Sequence, residues 1–551
     1  MVTKYRSFFF FFFAALFWLG RVLPAVATPE PRIVNIYNFV RDNDYRLSDS
    51  KAMLFQATTQ QILLLKKAAL PATFALQYDA LMDTNYQKLF VGQTNFEVGA
   101  WWEIPQELAE RAGLKWQGQH EWDSTANVGF SPGYTPAERH RLVDVYMADF
   151  RSVFGYYPKT AGSWYIDEVT LEYMAKKYGI IASCNCKDQI GTDGYTLWGG
   201  YWNQAYYPSR FNAYMPAQTR RNEIDVPIFR MLGSDPIYQY GNSAGMHTLE
   251  PVYQDGGGGS PEWVDWFLNN LVHQPSLAFA YTQAGQENSF GWEAMNNGLT
   301  QQIALLSELD KAGEIKIETL AQAGQWFRTR YALTPPTSVV AHDDWKHEHR
   351  KSVWYDSRFY RLNLLWENGK FFIRDLHCFD ENVISPTHDT ALSTRYLAYE
   401  TLPVMDCAVW SAPTHGAKGM WPVLWSPDNS NAPLNTTGEP VIKELNAKDL
   451  SIRQSLAAGD EFSLVCREKA LICTGVDGAG RPLRWAWILA GGPEQSSAVQ
   501  RVTSDTITYR YKNAQYRLRL AAGSCRQLKD NTLQLTPDAS GKMVLKLDVA
   551  R

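Results

Sequence analysis

Apolar and polar positions alternate in two different rhythms along this chain. From residue 32 to about 333, short apolar runs are followed by stretches in which apolar residues return every three to four positions. The runs at 33–39, 73–77, 95–101, 160–166, 180–183, 228–232, 276–281 and 315–318 have strand length and predict strands. The stretches at 51–69, 136–154, 169–178 and 299–312 carry helical spacing, with Leu54, Ile62, Leu65 and Ala69 recurring through the first. Thr135-Pro136 is a start signal for the second helix, and Gly179 a stop for the third. Strands alternating with helices build a parallel sheet, and seven or eight such units in ~300 residues predict a (β/α)7-type barrel. An open doubly wound sheet is the alternative. No G-x-G-x-x-G follows the first strand, so a dinucleotide fold has no support.

After Thr334-Pro335-Pro336 the helical spacing disappears. Segments at 359–366, 370–376, 461–466, 471–476, 483–489, 506–511, 515–520 and 542–547 are short, β-branched or aromatic, and bounded by turn residues. They predict an all-β, sandwich-like region. The organisation expected is therefore a leader at 1–27, a catalytic barrel at 28–334 and a C-terminal β-sandwich region at 335–551. The leader is read as a secretory signal peptide. Lys4 and Arg6 precede an apolar run at 8–19, and Ala25-Val26-Ala27 is a small-x-small cleavage site. The run is shorter than the ~20 residues a membrane span needs. Export to the periplasm or medium follows, with no stable membrane insertion after cleavage. Gly256–Gly259, with no Lys-Ser/Thr after it, reads as a flexible surface turn rather than a phosphate cradle.

Composition narrows the function. The 551 residues are 45% hydrophobic and 20% charged, an ordinary globular balance. A net charge of −4 supplies no basic field for nucleic acid. The departure from average is 14% aromatic residues, a content that suits sugar faces as well as large cores. Seven scattered cysteines do not form a disulfide scaffold. Cys184 and Cys186 read as buried thiols, and Cys466 and Cys473 flank a hairpin turn across which they could pair.

In a barrel the site forms in the loops after the strands. Acids and aromatics recur together along these segments, in Glu97 to Glu103, Trp164 to Glu168, Ser234-Asp235 and Glu287 to Glu293. Glycosidic cleavage needs that pairing: one carboxylic acid protonates the leaving oxygen, a second carboxylate attacks or activates water, and aromatic faces hold the sugar. Asp167, just before a helix, is equally a helix cap.

The run Phe96-Glu97-Val98-Gly99-Ala100-Trp101-Trp102-Glu103 resembles the E-I-G-x-H strand of polysaccharide deacetylase and α-mannosidase-type seven-stranded barrels. Runs at 127–135, 182–189, 197–201 and 231–240 are similar to a Bacteroidetes-type bacterial family, itself without an assigned activity, in the glycoside hydrolase/deacetylase barrel superfamily. The likeness covers about 32–425 and implies the barrel more strongly than the reaction. Deacetylases of that superfamily hold a divalent metal with an Asp and two His. Here Trp101 stands where the motif's His would fall, and no histidine precedes His120. His120 with Asp123, and the run from His342 to His349, are the remaining places where imidazoles could ligate. The expectation is thus no metal and no cofactor. By order along the barrel, the superfamily's nucleophile and acid positions fall on Asp167 and Glu287, with Glu97 and Asp235 assisting. Trp101, Glu103, Trp164, Trp202, Tyr207, Tyr238, Trp292 and Asn288 are the expected substrate contacts. Together these readings give an exported carbohydrate hydrolase that cleaves glycosidic bonds in an oligo- or polysaccharide by metal-free carboxylate chemistry. A sugar deacetylase and a non-catalytic glycan-binding protein are the alternatives.

Overall fold

Seven parallel strands form the first part of the chain: β1 (Arg32–Val40), β2 (Ala72–Leu76), β3 (Phe96–Trp101), β4 (Thr160–Gly162), β5 (Ala182–Asn185), β6 (Ile228–Arg230) and β7 (Ala280–Ala284). The computed structural model describes residues 30–48, 50–242, 246–409, 419–424, 431–490, 498–528 and 532–550, so the leader expected at 1–27 lies outside the described residues. The strands run in the order β7-β1-β2-β3-β4-β5-β6, each pair parallel. Among the described residues no ladder joins β6 to β7. Side chains bridge the seam instead: Leu232 N donates to Gln283 Oε1 at 2.7 Å, and the Phe229 and Tyr281 rings lie 4.9 Å apart. The result is the expected (β/α) barrel, nearly closed. Lys316–Glu318 adds a short parallel pairing beside the lower half of β1.

Local chemistry sets the element ends. The helix Pro136–Phe154 begins with a reciprocal capping box between Thr135 and Glu138 and ends at Gly155 in a left-handed conformation. The strand expected at 160–166 stops at Gly162. Beyond it Ile166 N bonds the Asn185 side chain, and Asp167 caps the helix Glu168–Tyr178. The strand expected at 276–281 lies instead at Ala280–Ala284. The Ser276 and Leu277 N–H groups are taken by the Glu444 carboxylate at 2.9 and 2.8 Å, which ties that segment to the β region. The helix expected at 299–312 begins already at Gly291.

The all-β part is a sandwich of a ten-stranded and an eight-stranded sheet. Phe371 and Trp487 of one sheet pack on Phe462 of the other, with ring centroids 5.6 and 5.7 Å apart. Trp485, Trp487 and Tyr509 are fully buried there. Leu397–Glu400 returns to the barrel and pairs in parallel with Tyr195–Trp198.

Two expectations are corrected. Cys466 and Cys473 do not pair: they sit opposite Leu471 and Leu464 in the hairpin register, and both remain free, buried thiols. Gly256–Gly259 is a buried loop, not a surface turn. A Cβ on Gly258 would lie 2.3 Å from Leu249 O, and Gln302 donates to the Gly258 carbonyl at 2.6 Å. The glycines permit a close approach of backbones beneath the helix Gly291–Ala312. Among the described residues no helix is long and apolar enough to cross a membrane.

Candidate active site at the carboxyl ends of the strands

One residue past β1, Arg41 ties three strand ends together. Its Nε and Nη2 donate to the two oxygens of Glu103, beyond β3, at 2.9 and 2.7 Å. Its Nη1 donates to Glu287, beyond β7, at 2.6 Å. Asn288 holds the Arg41 backbone from both sides, accepting from its N–H at 3.1 Å and donating to its carbonyl at 2.7 Å. The Trp122 ring lies 4.4 Å from the guanidinium. Below this clamp the barrel is floored by aromatics. Phe39 stacks on Trp101 with centroids 4.1 Å apart, and Trp164 meets both edge-on at 5.0 and 5.5 Å.

Beside Glu287 stands a second carboxylate, Glu250. It is 4% exposed and accepts from Thr248 Oγ1 at 2.8 Å and Gln286 Nε2 at 3.3 Å. Burial pushes its carboxyl up to about 7, and the Glu287 charge adds to the rise. Glu287 is also raised by burial, but Arg41 and Arg46 pull it back. Glu287 has a guanidinium partner and Glu250 has only neutral donors, so of the two Glu250 is the one its surroundings favour as the protonated acid. Two acids driven apart by their surroundings can divide the acid and base roles of a hydrolysis. Lys187, two residues past β5, acts electrostatically on Glu250; its ammonium is buried, and burial lowers its pKa.

The sequence-derived set is only partly gathered here. Glu287, Glu103, Trp101, Trp164 and Asn288 meet at this end, Glu103 and Asn288 as partners of Arg41. Asp167 is fully buried, accepting from Arg139 Nη1 at 2.9 Å, Ser131 Oγ at 2.5 Å and Thr170 N at 2.9 Å. Those bonds use its carboxylate as a cap and counter-ion. Glu97 lies at the opposite, amino-terminal end of β3, bound by Thr73 Oγ1, Thr160 Oγ1 and Ala321 N. Asp235 anchors a turn, accepting from Ile237 N, Tyr238 N and Trp263 Nε1. Trp202 stacks on Trp354 at 3.8 Å, and Tyr207 donates to Tyr331 O at 2.9 Å. Tyr238 donates to Asp344 at 2.7 Å, and Trp292 packs half-buried on the core. Arg41, Lys187 and Glu250 went unnamed as site residues. The first two directly follow strands; Glu250 falls in a long stretch without periodicity.

A second buried cluster joins barrel to sandwich. Arg361 donates twice to Asp375, each at 2.8 Å, and also to Asp188, which Arg230 holds at 2.8 Å. Burial alone would raise Asp188, but Arg361 and Arg230 bring it down to about 2. Next to them Asp375, His377 and Asp406 offer ligand atoms within 4.8 Å of one another, the one such group found among the described residues. The donor types suit a divalent ion. To receive one, Asp375 must release Arg361, and Asp406 must release the Trp198 indole and His377. The His342–His349 run does not assemble this way: Asp344 within it accepts from Tyr238 and from the backbone of Lys346, Glu348 and Arg350. His120 stacks on Tyr45 at 4.4 Å.

No protein-family profile matches the chain. No curated protein matches it either. Among solved structures it is similar to a candidate glycoside hydrolase/deacetylase of Parabacteroides distasonis, at 15% identity and a TM-score of 0.53, over 73% of this chain and 94% of that one. A candidate polysaccharide deacetylase of Mycobacterium smegmatis matches at 11% identity and a TM-score of 0.37, over 56% and 95% of the two chains. A further polysaccharide deacetylase candidate, from Pseudomonas aeruginosa, matches at 10% and 0.33, over 55% and 92%. The last two scores add nothing to the argument. The first establishes that this chain shares the fold of a glycoside hydrolase/deacetylase-type barrel, as a distant structural relative.

Proposed function

We propose that the chain is a carbohydrate-active hydrolase, exported by its leader, with its reaction centre at Glu250 and Glu287. The observation that carries this reading is the pair's asymmetry, one acid paired to Arg41 and the other raised to about 7. In glycosidic cleavage Glu250 donates its proton to the leaving oxygen, while Glu287 acts as the base or nucleophile on the anomeric side. The aromatic floor of Phe39, Trp101 and Trp164 is suited to a sugar's CH face.

A second reading has its own support. Deacetylase is named alongside glycoside hydrolase for the fold relative, and the Asp375–His377–Asp406 donors suit a divalent ion. Such an ion would supply a Lewis acid for the acyl carbonyl. The deciding assay incubates purified protein with a broad panel of glycans and acetylated glycans, with and without chelator. Reducing ends released regardless of chelator are the result expected for the carboxylate pair. Acetate release abolished by chelator would establish deacetylation instead. Absence of either product across the panel would overturn the assignment as a hydrolase.

A further inference from the structure

At the barrel mouth Lys187 is a buried ammonium that forms no ion pair within 4 Å among the described residues, although Glu250 and Asp188 act on it from farther off. Lys187 is 2% exposed, and among the described residues its ammonium makes one hydrogen bond, to the Asp188 carbonyl at 3.3 Å. An ammonium has three donors, so two are unused. The nearest acid in sequence, Asp188, gives both its oxygens to Arg230 and Arg361. Glu250 is bound to Thr248 and Gln286 instead. The arginines buried below 2% exposure behave differently: Arg41, Arg139, Arg230 and Arg361 each hold a carboxylate. A buried charge without a partner is costly, and an anionic ligand beside it would offset that cost.

Its surroundings have the chemistry of a polar ligand. Gln286 spends its amide N–H on Glu250, and its Oε1 is buried with no hydrogen-bond partner among the described residues. A donor charge and an acceptor left over on two strand ends are groups that read a ring bearing a hydroxyl and one anion. Burial lowers the Lys187 pKa, while Cys186, Glu250 and Asp188 oppose that.

We infer that Lys187 binds an anionic substituent of the substrate, so the substrate is a sugar bearing a carboxylate or a sulfate. The inference rests on the reading of the barrel mouth as a carbohydrate site. A lysine ammonium is a compact point charge and accepts either anion; a hexuronate and a sulfated hexose are therefore separate arms of the test.

Calorimetric titration of the full chain decides it. The ligands are oligosaccharides of galacturonate, glucuronoxylan and mannuronate, each beside its methyl ester, and sulfated galactan beside neutral galactan. One acid or sulfate is expected to bind at least about tenfold tighter than its uncharged counterpart. In K187Q that preference falls to about twofold or less. Equal binding of charged and uncharged partners by the wild type overturns the inference, as does a K187Q protein that keeps the preference. Should K187Q not fold, the acid-against-ester comparison in the wild type still decides. The two readings fail separately: E250Q that turns substrate over normally removes the reaction centre and leaves a Lys187-dependent preference standing.

Discussion

Glu250 is the residue whose surroundings make the sharpest prediction. Its folded-state pKa, about 7, lies above the ordinary 4.5. The folded protein thus binds a proton that the unfolded chain has released, and this contribution to stability is full below about 4.5 and lost as pH rises through about 7. Gln resembles the protonated acid and does not titrate. E250Q should therefore gain on the wild type between about pH 4 and about pH 8, by up to roughly 3 kcal/mol. Urea unfolding at the two pH values checks this; an equal difference at both would show that folding does not raise the Glu250 pKa. At this scale the sequence was partly readable. Glu287 follows a strand, so position alone makes it a candidate, and Asp167 before a helix already had the alternative of a cap. Glu250 could not be found that way, because its burial and its Thr248 and Gln286 partners come from tertiary packing.

At the scale of elements, the loop that carries Glu250 is pressed against the helix Gly291–Ala312. A Cβ on Gly298, inside that helix, would meet Pro251 O at 2.2 Å. Gly→Ala within a helix ordinarily gains about 1 kcal/mol. Here G298A should destabilise instead, because backbone must move, and it should reduce turnover by displacing the neighbour of Glu250. Thermal unfolding and kcat check both effects; a more stable and fully active G298A would show that the contact is slack. Periodicity and end signals located most elements, including the capped helix Pro136–Phe154. They failed where a distant partner decided, as when Glu444 took the amides of Ser276 and Leu277 and moved β7 downstream.

Across the whole molecule, barrel and sandwich are joined by buried charge. Arg361, on a sandwich strand, holds Asp188 past β5 and Asp375 on the adjoining strand. R361M leaves Asp375 without its guanidinium and Asp188 with Arg230 alone, and should cost about 3–5 kcal/mol, read as a lower denaturation midpoint. An unchanged midpoint would mean that the network contributes nothing to the joint. The alternation of strands and helices made the barrel readable from sequence, and its replacement by short β segments after residue 335 made the sandwich so. The side-chain seam between β6 and β7 and the charged joint have no periodic signature, since each depends on residues far apart in the chain.

The reaction centre is tested most directly by kcat on the best substrate of the glycan panel, for the wild type, E250Q and E287Q. Each variant should lose about a hundredfold or more while keeping the wild-type fold. Turnover within about twofold of the wild type in either folded variant would contradict the assignment of the chemistry to this pair.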